Sequence, residues 1–426
     1  MTSTHPRKTI IKISYSEPNK MKILISGAGC AGPALAFWLS RTNHQVVVVE
    51  RFPTLRDKGA QIDLREQGIE VVRRMGLLDT IRQHCVHEDG FTLVDGNDHV
   101  TAMIRPNTSG QGAQSFSSEF EIMRGDLVRI LYDATKKDVE YRFNTTVERF
   151  EQDDEKVIVN FSDGTSETFD LLVGADGQGS RIRRGILPPG TVDPYLHLGI
   201  HAAYWFVPRE KGDTNTFTTY ISPGGRAIFR RSHSPTTSQV YFMLKSDDPA
   251  LASIHRAAVD AQKEFWIRQY RGAGWQTERF IEGMKTTDNF YSQEIVQVKT
   301  ETWYKGRVVL LGDAAACPAV VTGMGTTGCL VGAYVLAGEI NRHAGDVGAA
   351  LKNYDATLRP FVKEIQKLNT SVVRLFFPTS WWGIWLLHWF AAVVCFLRIP
   401  ELLDRMGNEE VGGWKLPEYE ELRGVV

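Results

Sequence analysis

The sequence predicts an α/β protein with three parts: a Rossmann-type dinucleotide-binding domain, an antiparallel β-sheet lobe inserted into it, and C-terminal helices. Three observations carry that reading. Met21–Arg51 reads as one strand–helix–strand unit with a glycine-rich turn after its first strand. Two further glycine/aspartate patches, Gly174–Ser180 and Gly312–Asp313, also follow directly on buried, β-branched runs. Between about residues 190 and 290 the pattern changes to short strand-like runs punctuated by turns.

The first unit is the most constrained. Lys22–Ser26 reads as a buried strand, Pro33–Ser40 as a helix and Gln45–Val49 as a second buried strand. The turn between the first two is Gly27-Ala28-Gly29-Cys30-Ala31-Gly32. Gly27 permits the tight turn, Gly29 lets backbone approach a pyrophosphate, and Gly32 lets helix and strand pack closely, with Ala31 a further cofactor-binding candidate. The helix start offers unpaired N–H groups to phosphate. Glu50, eighteen positions past Gly32, ends the second strand with a carboxylate suited to a ribose hydroxyl, and Arg51 beside it is a further cofactor-binding candidate.

Composition narrows the partners. The 426 residues suffice for two or three domains. A net charge of −1 gives no basis for a nucleic-acid partner. The five cysteines (Cys30, Cys85, Cys317, Cys329 and Cys395) form no CxxC pair, which points to a reducing, cytoplasmic compartment. Residues 1–20 are polar and basic without an apolar core, so they read as an extension and not as a secretory signal.

Further along, 57–65 leads into a helical pattern that runs to His84. His84–Glu88 matches no zinc spacing and reads as an exposed loop; no metal site is expected. Phe91–Val94 and Val100–Ile104 read as a hairpin, 107–118 as a long loop, and Asp126 as the start of a helix. The strand-like runs His201–Val207, Phe217–Ile221, Arg226–Arg230 and Val240–Leu244 suggest the inserted sheet, with helices near 257–271 and 276–284. Thr326–Asn341 and Ala349–Phe376 read as helices. The implied boundaries are 21–189 with 290–350 for the nucleotide domain, 190–289 for the substrate domain and 351–426 for the C-terminal region.

The separate motifs together resemble the group A FAD-dependent monooxygenases, the family of aromatic hydroxylases and tetracycline-inactivating flavin monooxygenases. The matching stretches are GAGCAG with Glu50-Arg51, Arg124-Gly125-Asp126-Leu127, DLLVGADGQGSRIR at 170–183, GRVVLLGDAA at 306–315, and Tyr354 followed by Arg359-Pro360. The resemblance implies FAD as cofactor, with Glu50 on the adenosine ribose, Asp63 near the flavin, and Arg124 near the phosphates or ribityl chain. It further implies backbone of Thr146-Val147 at the adenine, Asp176 supporting the pyrophosphate loop, and Asp313 on the ribityl hydroxyls. Gly323–Gly328 is a second GxGxxG, but no acid-ended strand follows it. It fits a helix start at Gly325 and Thr326 aimed at the flavin ring, where the positive dipole end favours reduced flavin. The implied reaction uses NAD(P)H as a transient co-substrate and O2. A flavin C4a-hydroperoxide then passes one oxygen to an electron-rich, apolar or aromatic small molecule by hydroxylation, epoxidation or Baeyer–Villiger insertion.

The chain departs from the family pattern after Asp313. Ala316 stands where the family has histidine, and Pro318 comes one or two positions early, so the expectation is an altered loop beside the flavin ring. A catalytic base is not visible. Tyr220 and Arg226, flanking a Pro-Gly-Gly turn, are candidate substrate-side groups, with ordinary sheet and hairpin roles as the alternative. The alternatives to a monooxygenase are a flavin dehydrogenase or halogenase, or a flavin-binding partner without turnover. Leu375–Leu397 carries no formal charge and holds Trp381, Trp382, Trp385 and Trp389. It reads as buried helices or a wall over the substrate entrance, with peripheral membrane contact or a bilayer span as the other possibilities.

Overall fold

The β-branched and leucine runs form the core of a parallel sheet because both of its faces are covered, so the inner strand positions must be apolar. In the computed structural model, which describes residues 20–56, 59–105, 120–248, 251–369, 373, 375–399 and 413–424, Leu24, Ile25, Val47, Val48 and Leu171–Val173 are fully buried. The N-terminal extension up to residue 19 and the expected loop at 107–118 lie outside the described residues. Six strands pair in the order Tyr304–Lys305, Val308–Leu310, Leu171–Gly174, Lys22–Ser26, Gln45–Val49, Glu140–Arg142. All neighbours are parallel except the first pair. Lys22–Ser26 sits where the strand order reverses, so a crevice opens beyond its C-terminal end.

A second sheet of seven strands follows the order Tyr291–Val298, Tyr195–Pro208, Thr237–Lys245, Arg226–Ser232, Phe217–Ser222, Phe91–Val94, Val100–Ile104. It extends beyond 190–289 at both edges. The 91–104 hairpin joins by one parallel pairing, Phe91–Val94 against Phe217–Ser222, and every other pairing is antiparallel. One face packs on helices Val259–Tyr270 and Thr277–Thr286 through Trp205, Phe242, Trp266 and Phe280. The opposite face carries Ile200, Ala202, Tyr204, Tyr241 and Met243 and meets Ala319 of the loop after Asp313.

Two expectations change. The helix expected over Ala349–Phe376 stops at Ile365. There the Gln366 side chain donates to Val298 O and Cys317 O at 2.7 and 3.2 Å, and the Gln366 backbone carbonyl accepts from the Gln297 side chain. These bonds tie residue 366 to the sheet and the loop instead of to another helical turn. The stretch His84–Glu88 is not simply an exposed loop. Glu88 is buried and pairs with the buried Arg231 at 2.7 Å, which also pairs with Glu121. An isolated buried charge is costly, so an acid can go inside only with such a partner.

After the apolar helix Trp381–Phe396, the chain returns at 413–424 to the nucleotide domain. Tyr419 lies over Gly338, where an added Cβ would come within 2.3 Å of the ring, and its hydroxyl donates to Glu339 at 2.7 Å.

Candidate active site

Three strand ends meet at the crevice, and glycine is required where they touch. Gly27 has φ +116°, and a Cβ on it would fall 2.4 Å from Ala175 O. A Cβ on Gly32 would fall 2.0 Å from Gly27 O. No side chain fits at either position, so the turn packs against the first helix and against the Leu171–Gly174 strand end. Gly29 differs. Among the described residues beyond its chain neighbours, the only heavy atom within 4 Å of an added Cβ is Arg124 Nη2 at 3.3 Å, so the turn opens toward a guanidinium. Ala31 lies at the start of helix Ala31–Arg41 and abuts Gly312, whose added Cβ would lie 3.0 Å from its own.

Glu50 clamps the turn: its Oε2 accepts from Ala28 N at 2.8 Å, and its Oε1 accepts from Phe52 N at 3.1 Å. Each oxygen keeps a lone pair for a ligand hydroxyl. Thr145 N donates to Glu50 O at 2.9 Å, which brings the turn before Val147 beside the acid. Arg51 does not join them. It is exposed and lies over the Phe52 ring at 4.8 Å. Asp176 caps helix Arg181–Ile186 by accepting from Arg181 N at 2.7 Å, and its second oxygen is buried without a partner among the described residues.

Arg124, Asp313 and three cysteines form the electrostatic centre. Burial pushes the Asp313 carboxyl up, against the pull of Arg124 and of the Cys317 thiol. Hydrogen bonding with Cys329, helped by Arg124, lowers Cys30 despite its burial. A desolvated carboxylate beside an open crevice gains from hydroxyl donors, and a guanidinium gains from phosphate oxygens. Arg183, which had no expected role, ties two of the loops together. It is fully buried and donates to Ala314 O at 3.0 Å and Gln178 O at 2.7 Å. Its sequence signal is its place at the end of the 170–183 stretch.

A second wall is built by Asp63, Arg65 and the start of helix Gly325–Arg342. Arg65 N donates to Thr327 Oγ1 at 3.0 Å, and Thr327 Oγ1 donates back to Arg65 O at 3.1 Å. Arg65 Nη2 donates to Asp63 at 2.8 Å. A Cβ on Gly325 would meet nothing within 4 Å, so this helix end, with Thr326, faces open space.

Tyr220 and Arg226 lie elsewhere, which corrects the expectation that they face substrate. The Tyr220 hydroxyl donates to Ala273 O at 2.9 Å, and Arg226 donates to Pro223 O and Gln269 O at 2.7 and 2.9 Å. Both belong to the sheet face covered by helices. Side chains alternate along a strand, and Ile221, one residue on, points the other way. The face toward Ala319 is aromatic instead: Tyr204 meets Tyr241 edge-on at 5.0 Å and stacks with Tyr291 at 6.0 Å.

These residues fit FAD. The crevice has glycine where a pyrophosphate must approach, a guanidinium over it, and partnerless buried oxygens on Asp63 and Asp176. Comparison with known proteins agrees. The FAD binding domain family matches residues 20–368. The FAD-dependent monooxygenase asL4 of Sarocladium schorii is 40% identical over 429 residues, covering 95% of this chain and 99% of the relative. The flavin-dependent monooxygenase eupH of a Phoma species is 42% identical over 388 residues, covering 85% and 89%. Among solved structures, tetracycline destructase Tet(55) superposes with TM-score 0.78 at 28% identity, covering 94% of this chain and all of its own. Klebsiella pneumoniae HpxO, solved with FAD and uric acid, shares the fold at TM-score 0.69 and 20% identity, with 90% and 95% covered. Sequence, crevice and relatives agree that the chain belongs to the FAD-dependent monooxygenases of the FAD binding domain family, the group A flavin monooxygenases.

Proposed function

We propose that the protein uses NAD(P)H and O2 to insert one oxygen atom into an electron-rich, apolar or aromatic small molecule of secondary metabolism. The observation that carries this is the convergence of three strand-end loops on Arg124 and Asp313, opposite an aromatic sheet face. FAD, when bound, supplies the electron transfer from NAD(P)H and the activation of O2. The chain's own residues do the rest. Arg124 neutralises the phosphates, Asp313 accepts from the ribityl hydroxyls, and Glu50 accepts from the ribose. The turn before Val147 meets the adenine through backbone, and Asp176 holds the pyrophosphate loop. The dipole of the helix starting at Gly325 and Thr326 favours negative charge on the ring. Tyr204, Tyr241 and Tyr291 pack the substrate and keep water out. In this reading 21–189 with 290–350 holds the nucleotide, and the seven-stranded sheet presents the substrate.

The same reading takes the enzyme to a bilayer surface. No described helix is long and apolar enough to cross a membrane. Yet Trp381, Trp382, Trp385 and Trp389 are 54–74% exposed on helix Trp381–Phe396, while Ile384, Leu387 and Ala391 of that helix pack toward the aromatic sheet face. Tryptophan favours the lipid–water interface, and an apolar substrate is concentrated there.

The test is a visible spectrum of the purified protein, followed by NADPH and NADH oxidation with phenolic and polyketide compounds. Substrate-stimulated oxidation and a product heavier by one oxygen support the reading. Bound flavin without turnover under any condition removes it. Sedimentation with phospholipid vesicles, lost in Trp385→Glu, tests the membrane contact.

A further inference from the structure

Arg65 and Asp63 hold one another through Nη2 and Oδ2, and each has a second polar atom left over. Arg65 Nε and Asp63 Oδ1 are both buried and have no hydrogen-bond partner among the described residues. Such atoms are rare in native proteins because water's hydrogen bonds are lost with nothing in return. Here a spare donor and a spare acceptor belong to one rigid pair.

The pair is held from two directions. Arg65 is bonded through its backbone, both ways, to Thr327 in the first turn of helix Gly325–Arg342. Its guanidinium lies against Gly323, where a Cβ would sit 3.2 Å from Cζ and from Nη2. Gly323 has φ +65°, so the chain has both a conformational and a steric reason for glycine there. Asp63 is fixed in the short antiparallel pair Gln61–Asp63 with Glu121–Met123, directly opposite Glu121. Burial pushes the Glu121 carboxyl well up, against the pull of Arg231.

We propose that Arg65 and Asp63 together read the imide edge of the flavin ring. Arg65 Nε–H donates to a ring carbonyl, and Asp63 Oδ1 accepts from the ring N3–H. An imide carries N–H flanked by C=O in one rigid plane, which is what a spare donor beside a spare acceptor requires. The inference rests on the FAD-binding reading above and adds a role for Arg65.

The test exchanges the bound FAD of the holoprotein against 3-methyl-FAD by equilibrium dialysis and measures the flavin retained. Wild type should prefer FAD by about tenfold, the worth of one buried hydrogen bond. Asp63→Leu removes the acceptor and should shrink that preference to within about twofold. Arg65→Met should weaken retention of both flavins alike and leave the preference in place, because its partner is a carbonyl that both possess. Equal retention of the two flavins by wild type overturns the proposal, even if neither variant folds. A preference that survives in folded Asp63→Leu overturns it as well. Wild type that retains neither flavin brings down the FAD-binding reading itself, an outcome distinct from both.

Discussion

The two walls of the cleft are specified in different ways. The nucleotide wall is written in backbone: Gly27 and Gly32 are defined by the side chain that cannot be there. The sheet wall is written in alternation. Whether a residue faces the cleft or the covering helices depends only on the parity of its position, and a shift of one residue reverses the answer. A local motif can therefore announce the first wall. The second wall becomes visible only when the strand's partners are known.

The sharpest test of the backbone wall is Gly32→Ala. The added methyl would lie 2.0 Å from Gly27 O, and backbone cannot step aside as a flexible side chain can. We expect loss of bound flavin and about 3 kcal/mol or more of stability. Absorbance at the flavin band together with thermal unfolding checks both. A variant that stayed yellow and stable would mean the turn is not built as described.

Asp313→Ala separates binding from folding on the same wall. The carboxylate is desolvated and pushed up by burial, so removing it should cost the apoprotein less than about 1 kcal/mol. Retention of FAD should fall at least about tenfold, as a charged acceptor lost from a buried site implies. If the purified variant keeps full flavin occupancy, Asp313 does not hold the ribityl chain.

How much was legible follows the same division. The βαβ unit, the strands at 171–174 and 308–310 and the helix start near Gly325 stand in the sequence because β-branched runs and glycines mark them locally. The role of Arg183 is not legible locally, because two of the atoms it joins, Ala314 O and Gln178 O, are backbone atoms that leave no pattern. Arg65 was passed over because its clamp is Thr327, more than 260 positions away. The 91–104 hairpin was read correctly as a hairpin, but its parallel pairing to Phe217–Ser222 is a long-range choice that local propensity does not encode. The return of Tyr419 onto Gly338 is of the same kind.

The sheet wall is broken most directly by comparing its two faces. Tyr204→Ala removes an edge-on contact with Tyr241 and a 3.1 Å bond from Gln293, on the face toward Ala319. It should raise KM for an aromatic substrate by about tenfold, or ~1.4 kcal/mol. Tyr220→Phe removes only the bond to Ala273 O, on the helix-covered face. It should cost about 1 kcal/mol of stability and leave kcat/KM within about twofold. The reverse ranking in steady-state kinetics would mean that the faces are assigned the wrong way round.

The smallest effect lies on the helix-covered side, where His201 Nδ1 and His255 Nε2 are 2.9 Å apart and the rings stack. His255 Nδ1 also meets Ser292 Oγ at 2.7 Å, so neither ring nitrogen is left to water. Burial, reinforced by His201, moves His255 from the ordinary 6.5 down to about 4. Below an unfolded pKa of 6.5 the unfolded chain binds the proton first, so stability falls as pH drops from about 6.5 toward 4 and is unaffected above 7. The full shift would be worth about 3 kcal/mol, and solvent screening of a partly exposed ring reduces it to roughly 1 kcal/mol. In His255→Gln the amide has no such proton to take up. Unfolding measured between pH 7 and pH 4.5 should show a shallower loss than wild type. Parallel curves would place the acid sensitivity elsewhere, with the buried pairs of Arg231 with Glu88 and Glu121 as the next groups to test.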